Sequence, residues 1–224
     1  MSQHQHLSTT IFEQISRIGK AISHPKRLEI MELLSQSERT VDSLTKETGL
    51  SQANTSQHLK ALRACGLISA RREGTSIWYR LADDSVADFF RVLRVLAVGH
   101  LAELEKVVSE YFAGHNELEA VDKKKLAKKV RAGEVSVIDL RPVHEYEAGH
   151  IPGAISIPIE ELETRLSEIP KHQQVVAYCR GPYCVWSVDA VKILEEKGFS
   201  AMHLRDGILD WRAQGMKVKL GSRP

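Results

Sequence analysis

The chain has 224 residues, 42% of them hydrophobic and 27% charged, with a formal net charge of +2, an ordinary globular composition with room for two domains of roughly 100 residues each. It contains no run of about 18 apolar residues, and its start, MSQHQHLSTT, is polar. Neither a membrane span nor a signal peptide is therefore expected, a cytoplasmic setting is, and His4 and His6 read as a frayed terminus rather than a metal tail.

In chain order, Phe12, Ile15, Ile18 and Ile22 recur at helical spacing, followed by a second helix carrying Leu28, Ile30, Met31, Leu33 and Leu34 and opened by Pro25, a residue suited to a first turn. TVDSLTKETG, Thr40 to Gly49, reads as a short helix ended by glycine, and Ser51 then opens another, SQANTSQHLKALRAC. Helix, tight glycine turn and helix with a serine N-cap is the helix-turn-helix plan. Thr55, Leu59 and Leu62 share one stripe and face the core, which turns Gln52, Asn54, Ser56, Gln57, Lys60 and Arg63 outward. Small amide and hydroxyl groups near a helix start suit base edges, and Lys and Arg further along suit phosphate.

LISARREGTSIWYRLA gives two alternating runs around EGT, a β-hairpin with Arg71 and Arg72 on one arm and Arg80 on the other. From Lys60 to Arg80 the charged residues are Lys60, Arg63, Arg71, Arg72, Glu73 and Arg80, a local cationic patch on an otherwise balanced chain. A long helix from Ser85 to Phe112 follows, with Phe89, Leu93, Leu96, His100, Leu104 and Val108 as an apolar stripe suited to a dimer seam.

AGHNEL, near Gly114 to Leu118, marks a change of periodicity. We divide the chain there into 1–113, a linker at 114–119, and 120–224. KKKLAKK, Lys123 to Lys129, fits a solvated helix face around Leu126 and Val130. Short strands are then expected at Val137–Leu140, Ala154–Ile157, Val175–Tyr178 and near Met202, with helices at Ile159–Leu166 and Ser187–Lys197, which together read as a parallel sheet with helices on its faces.

The three cysteines, Cys65, Cys179 and Cys184, are too few for a disulfide framework or a four-ligand zinc site and are expected as thiols. Cys65, at the end of the second helix, reads as a small packed thiol. Cys179 directly follows VVAY, before a helix, in the crevice at the carboxyl ends of strands where α/β sheets bind ligands. Backbone N–H groups of RGPYC, with the helix dipole, are expected to lower its pKa and favour a thiolate or persulfide. Gly181 lets that loop turn, Pro182 stiffens it, and Arg180 attracts an anionic donor. Two readings of Cys184 stand: a resolving thiol that attacks a Cys179 persulfide, or a loop residue contributing only its backbone.

HPKRLEIMELL followed by LSQANTSQHLKALRACGLISARREGTSIWYRL resembles the ArsR-type winged-helix repressors over residues 10–112. That resemblance implies a mainly α winged helix-turn-helix fold with a β-hairpin wing, binding palindromic double-stranded operator DNA as a homodimer through the first and the long helices. Thiolate-type members carry a cysteine cluster that VDSLTKE lacks. Of the other metal site of the family only His100 and Glu103 match, while Ala87 and Phe89 stand where ligands are needed. No metal or cofactor is expected.

VIDLRPVHEYEAGHIPGAISIP, YCRGPYCVW and LRDGILDW, with Trp211, resemble the rhodanese homology domain over about Ala120 to Leu220. This implies an α/β parallel-sheet domain with sulfurtransferase chemistry secondary to DNA binding, in which Cys179 takes a sulfane sulfur from a donor such as thiosulfate or polysulfide, with Arg180, Gly181, Tyr183 and Cys184 forming the loop. Related arsenate reductases and phosphatases use a longer loop with an arginine six residues past the cysteine, where this chain has Val185. Two overall readings follow: a repressor responsive to reactive sulfur, or a regulator with another inducer joined to an independent sulfurtransferase.

Overall fold

A computed structural model describes residues 3–112 and 123–221, grouped by contact into two compact units, Met1–Phe90 and Arg91–Pro224. The expected linker at 114–119 lies outside the described residues.

In the first unit, α1 (Gln3–Ile22) and α2 (Pro25–Gln36) precede a short strand β1 (Arg39–Thr40), α3 (Val41–Thr48) and α4 (Gln52–Ala64). The α2 helix starts at His24, whose Nδ1 accepts from the Lys26 N–H at 3.1 Å, with Pro25 in the first turn. Gly49 closes α3 in the left-handed conformation, φ 68°, which costs a glycine no Cβ strain. Ser51 caps α4 by accepting from the Asn54 N–H at 3.3 Å. Ile30, Met31, Leu34, Leu44, Leu59 and Leu62 are buried, so the expected inner stripes of α2 and α4 meet in one core. The hairpin forms as expected from β2 (Ile68–Glu73) and β3 (Ser76–Leu81), pairing Arg71 with Trp78 and Arg72 with Ile77 across a Gly74–Thr75 turn. The β1 strand adds to the far edge of β3, giving the order β1-β3-β2.

The long helix departs from expectation. It is two helices, α5 (Asp84–His100) and α6 (Ala102–Phe112), with Leu101 between them. The Leu101 carbonyl accepts from the Leu104 and Glu105 N–H groups, starting a new helix without a proline to signal it. Val86 and Phe90 bury on α5, while Phe89, Leu96 and His100 of the expected stripe stand exposed in the single chain.

In the second unit, α7 (Lys123–Arg131) buries Leu126 with Lys128 and Lys129 outward. The strands β4 (Val135–Asp139), β5 (Ile155–Ser156), β6 (Gln174–Tyr178) and β7 (Ala201–His203) form one parallel sheet in the order β5-β4-β6-β7. Both faces are covered, as a parallel sheet requires. Val137, Val176 and Tyr178 face one cluster with Ile208 and Trp211, and Ile138, Val175 and Ala177 face another with Val191 and Leu194. Helices α8 (Val143–Ala148), α9 (Trp186–Glu196) and α10 (Ile208–Ala213) complete the layers. The helix expected at Ile159–Leu166 is instead two 3-10 turns, Ile159–Thr164 and Leu166–Glu168. Leu162 is fully buried there, and Ile159 and Leu166 pack against the same cluster from its edge.

Candidate functional site

On α4, Gln52, Asn54, Ser56, Gln57, Lys60 and Arg63 are all exposed and Thr55, Leu59 and Leu62 buried. The helix is locked to α3 by the Thr45 hydroxyl donating to Thr55 Oγ1 at 3.1 Å. Gln52 is not idle: its Nε2 donates to Asp42 Oδ1 at 3.0 Å, so a base contact there begins by exchanging partners. His58, on the flank of α4, packs on His24 with ring centroids 4.5 Å apart. Burial, then the charges of His24 and Arg27, hold it below its ordinary value.

The wing cations are less free than their count implies. Arg71 donates to Glu38 Oε2 and Glu73 Oε2 at 2.8 and 2.6 Å, and Arg80 lies 3.8 Å from Glu38. Glu38 precedes the stretch that defined the patch, so sequence counting missed its negative charge. Arg72 Nε donates to the Gly74 carbonyl at 3.2 Å and meets no carboxylate among the described residues.

In the second unit Cys179 sits at the end of central β6, 1% exposed, ahead of α9. The expectation of three thiols is corrected: Cys179 and Cys184 are joined by a disulfide with Cα atoms 6.1 Å apart, leaving Cys65 free. The cause is local. Gly181 to Cys184 form a turn closed by the Cys184 N–H donating to the Gly181 carbonyl at 3.1 Å, with Pro182 at the position where its fixed φ is favoured. That turn folds Cys184 back onto Cys179 and spends the Cys184 N–H, which the sequence reading had aimed at the sulfur. Ser187 Oγ donates to the Cys184 carbonyl at 3.0 Å and secures the far end. Cys65 is half-buried, its thiol 3.5 Å from the Arg17 carbonyl.

Arg180, expected to draw an anionic donor, instead grips Glu145 of α8 through Nε and Nη2 at 3.0 and 2.6 Å, with Glu145 fully buried and the guanidinium over the Trp186 ring at 5.0 Å. These contacts tie the loop to α8 and to the first turn of α9. Gly181 does not have a positive φ; a Cβ there would lie 3.0 Å from the flexible end of Arg94, at Nη1. The Tyr183 hydroxyl donates to the Arg94 carbonyl at 3.3 Å, within the same unit.

Two groups that sequence reasoning did not single out support the loop from below. A Cβ on Gly207 would stand 2.0 Å from the Arg180 carbonyl oxygen and 2.8 Å from the Gly181 nitrogen, so only glycine lets the LRDGILDW segment lie against the loop backbone. Beneath the strand ends, Asp139 receives Arg141 Nε and Nη2 at 2.9 and 2.6 Å and also the Tyr178 hydroxyl, all buried. Burial pulls Arg141 down, but the Asp139 carboxylate more than reverses this and leaves it raised, while burial and then Asp139 push Tyr178 well above the usual phenol value. The available signal was position within the motif blocks: Asp139 and Arg141 in DLRPVHEYEAGHIPGA, Tyr178 directly before Cys179, and Gly207 in LRDGILDW.

A winged helix-turn-helix with an exposed polar reading helix, followed by a two-faced parallel sheet bearing a cysteine loop, defines a DNA-binding transcriptional regulator with a rhodanese-like domain. Residues 24–70 match the bacterial regulatory proteins of the arsR family, and residues 122–214 match the rhodanese-like domain. The HTH-type transcriptional regulator Rv0324 of Mycobacterium tuberculosis is 42% identical over 212 residues, covering 95% of this chain and 93% of that protein. The chain therefore belongs to the ArsR family of transcriptional regulators and carries a C-terminal rhodanese-like domain. A sulfurtransferase of Allochromatium vinosum is 33% identical over 100 residues, 44% of this chain and 92% of its own. A solved homodimeric winged helix-turn-helix DNA-binding domain of Mycobacterium bovis, a possible ArsR-family transcriptional regulator, is 39% identical, covers 45% of this chain and 91% of its own, and has a TM-score of 0.41.

Proposed function

We propose that this chain is a cytoplasmic, homodimeric repressor whose rhodanese-like domain takes up sulfane sulfur on Cys179, and that operator binding responds to that sulfur. The carrying observation is the placement of Cys179: a nearly covered sulfur at the carboxyl end of a central parallel strand, in a short loop ahead of an eleven-residue helix, with Val185 where the longer oxyanion-binding loops carry an arginine. A helix start favours the thiolate or persulfide anion. The likeness to a protein named a sulfurtransferase supports the carrier role, and the homodimeric state of the Mycobacterium bovis domain supports the dimer. Gln52, Asn54, Ser56 and Gln57 are assigned to base edges, and Lys60, Arg63, Arg71 and Arg72 to phosphate. Thiosulfate and polysulfide are the donor chemistries that suit a sulfur-sized loop.

The test is an operator mobility shift with reduced full-length protein, with and without polysulfide, repeated with Cys179→Ser. The proposal expects polysulfide to weaken binding of the wild type and not of the variant. Identical responses would show that DNA binding answers to something else and that the sulfur chemistry is an independent enzyme activity.

A further inference from the structure

We infer that the Cys179 loop has a second activity built into it: it reduces a captured sulfane sulfur to sulfide by closing the Cys179–Cys184 disulfide, with Cys184 as the resolving thiol. This rests on Cys179 being the sulfur acceptor proposed above. Three observations carry it. The two sulfurs are already bonded, on a backbone whose Cα separation of 6.1 Å falls in the ordinary range for a disulfide. The Gly181–Cys184 turn and the Ser187 hydroxyl bond hold Cys184 in that position. Cys179 is 1% exposed whereas Cys184 is only half-buried, so a sulfur on Cys179 is shielded from bulk thiols while Cys184 is beside it.

The chemistry balances without an outside oxidant. The Cys179 thiolate attacks the outer sulfur of thiosulfate, an S–S bond forms, the thiosulfate S–S bond breaks, and sulfite leaves with its electron pair. The Cys184 thiolate then attacks Cys179 Sγ and the bond to the terminal sulfur breaks. That sulfur takes a proton from water and departs as hydrosulfide. The sulfane sulfur gains the two electrons that the cysteine pair loses, so the captured sulfur is itself the oxidant. A dithiol protein of the thioredoxin class returns the loop to two thiols, its own pair becoming a disulfide. The loop thus stops after one sulfide until such a reductant arrives, whereas a loop with a lone cysteine would wait, loaded, for an acceptor.

The full-length protein is reduced, freed of reductant and exposed anaerobically to thiosulfate in one arm and to glutathione persulfide in another, then desalted, alkylated and digested. Released sulfide is measured in the thiosulfate arm, where the donor yields sulfite alone. The inference expects the wild-type peptide spanning Cys179 and Cys184 to be two hydrogens lighter than the dithiol, with one sulfide released per chain. It expects Cys184→Ser to keep one extra sulfur on Cys179 and release no sulfide, and Cys179→Ser to do neither. A wild-type peptide that retains the extra sulfur with Cys184 still alkylatable overturns the inference while leaving the carrier reading intact. If neither donor adds sulfur to Cys184→Ser, the carrier reading falls, and this inference with it.

Discussion

At the scale of single residues, the cysteine loop depends on atoms far from it in sequence. Gly207 allows the Arg180 carbonyl to lie where a Cβ would be, 2.0 Å away. A Gly207→Ala variant must therefore move backbone against backbone, which costs about 1–3 kcal/mol in an overpacked site. We expect its second unit to unfold at lower urea and Cys179 to load sulfur more slowly, read by denaturation and by mass spectrometry; wild-type values for both would exclude the clamp. His150 makes a different prediction. Its ring stacks on Tyr146 at 3.7 Å and donates from Nδ1 to the Tyr146 carbonyl at 2.9 Å. Burial above all lowers its pKa from the usual 6.5, the carbonyl bond and Asp139 opposing only partly. The unfolded chain thus binds a proton that the fold excludes, so this contribution is complete above about pH 6.5 and is lost as the pH falls below it. His150→Gln should flatten the decline in urea stability between about pH 7.5 and about pH 5.5.

At the scale of elements, sequence periodicity located α2, α4 and the hairpin because each buries one face at its own period, while the wing register, which pairs Arg71 with Trp78, came from the structure. The break at Leu101 was not legible, since helix-forming residues flank it and no proline interrupts them. The same limit applies to ion pairs. Glu145 and Arg180 are 35 residues apart, and nothing local in either segment reveals that α8 anchors the loop. For the wing, the structure changes the ranking of its cations. Arg72→Ala should weaken binding to all DNA sequences and lower the slope of log affinity against log salt by about 0.9, the value for one phosphate contact. Arg71→Ala should do less, because that guanidinium already bridges Glu38 and Glu73. A titration of operator binding across salt concentrations distinguishes the two, and an equal loss for both would refute the ranking.

At the scale of the whole molecule, both fold classes were readable from sequence blocks, and the apolar stripes of the first helix and of α5, read from sequence as a dimer contact, stand uncovered in the single chain. Phe12 is 66% exposed, Ile15 56% and Leu96 51%. On α1 and α5 these side chains suit burial against a second copy. Among the described residues no helix is long and apolar enough to cross a membrane. Phe12→Glu and Leu96→Glu should each shift the protein from dimer to monomer in light scattering and sharply reduce affinity for a two-half-site operator, with single half-site binding less affected. A dimer that persists in both variants would place the contact elsewhere.

Glu38 deserves a kinetic reading. A carboxylate beside two wing arginines repels the phosphate backbone of every DNA sequence equally, so it lowers affinity for operator and bulk DNA alike. Its benefit lies in the search. A chromosome offers vastly more wrong sites than right ones, and a wing that must trade a carboxylate for a phosphate dwells less on each wrong one. Glu38→Gln should lengthen residence on random-sequence DNA in single-molecule records, and the regulator should then take longer to find its operator when competitor DNA is in excess.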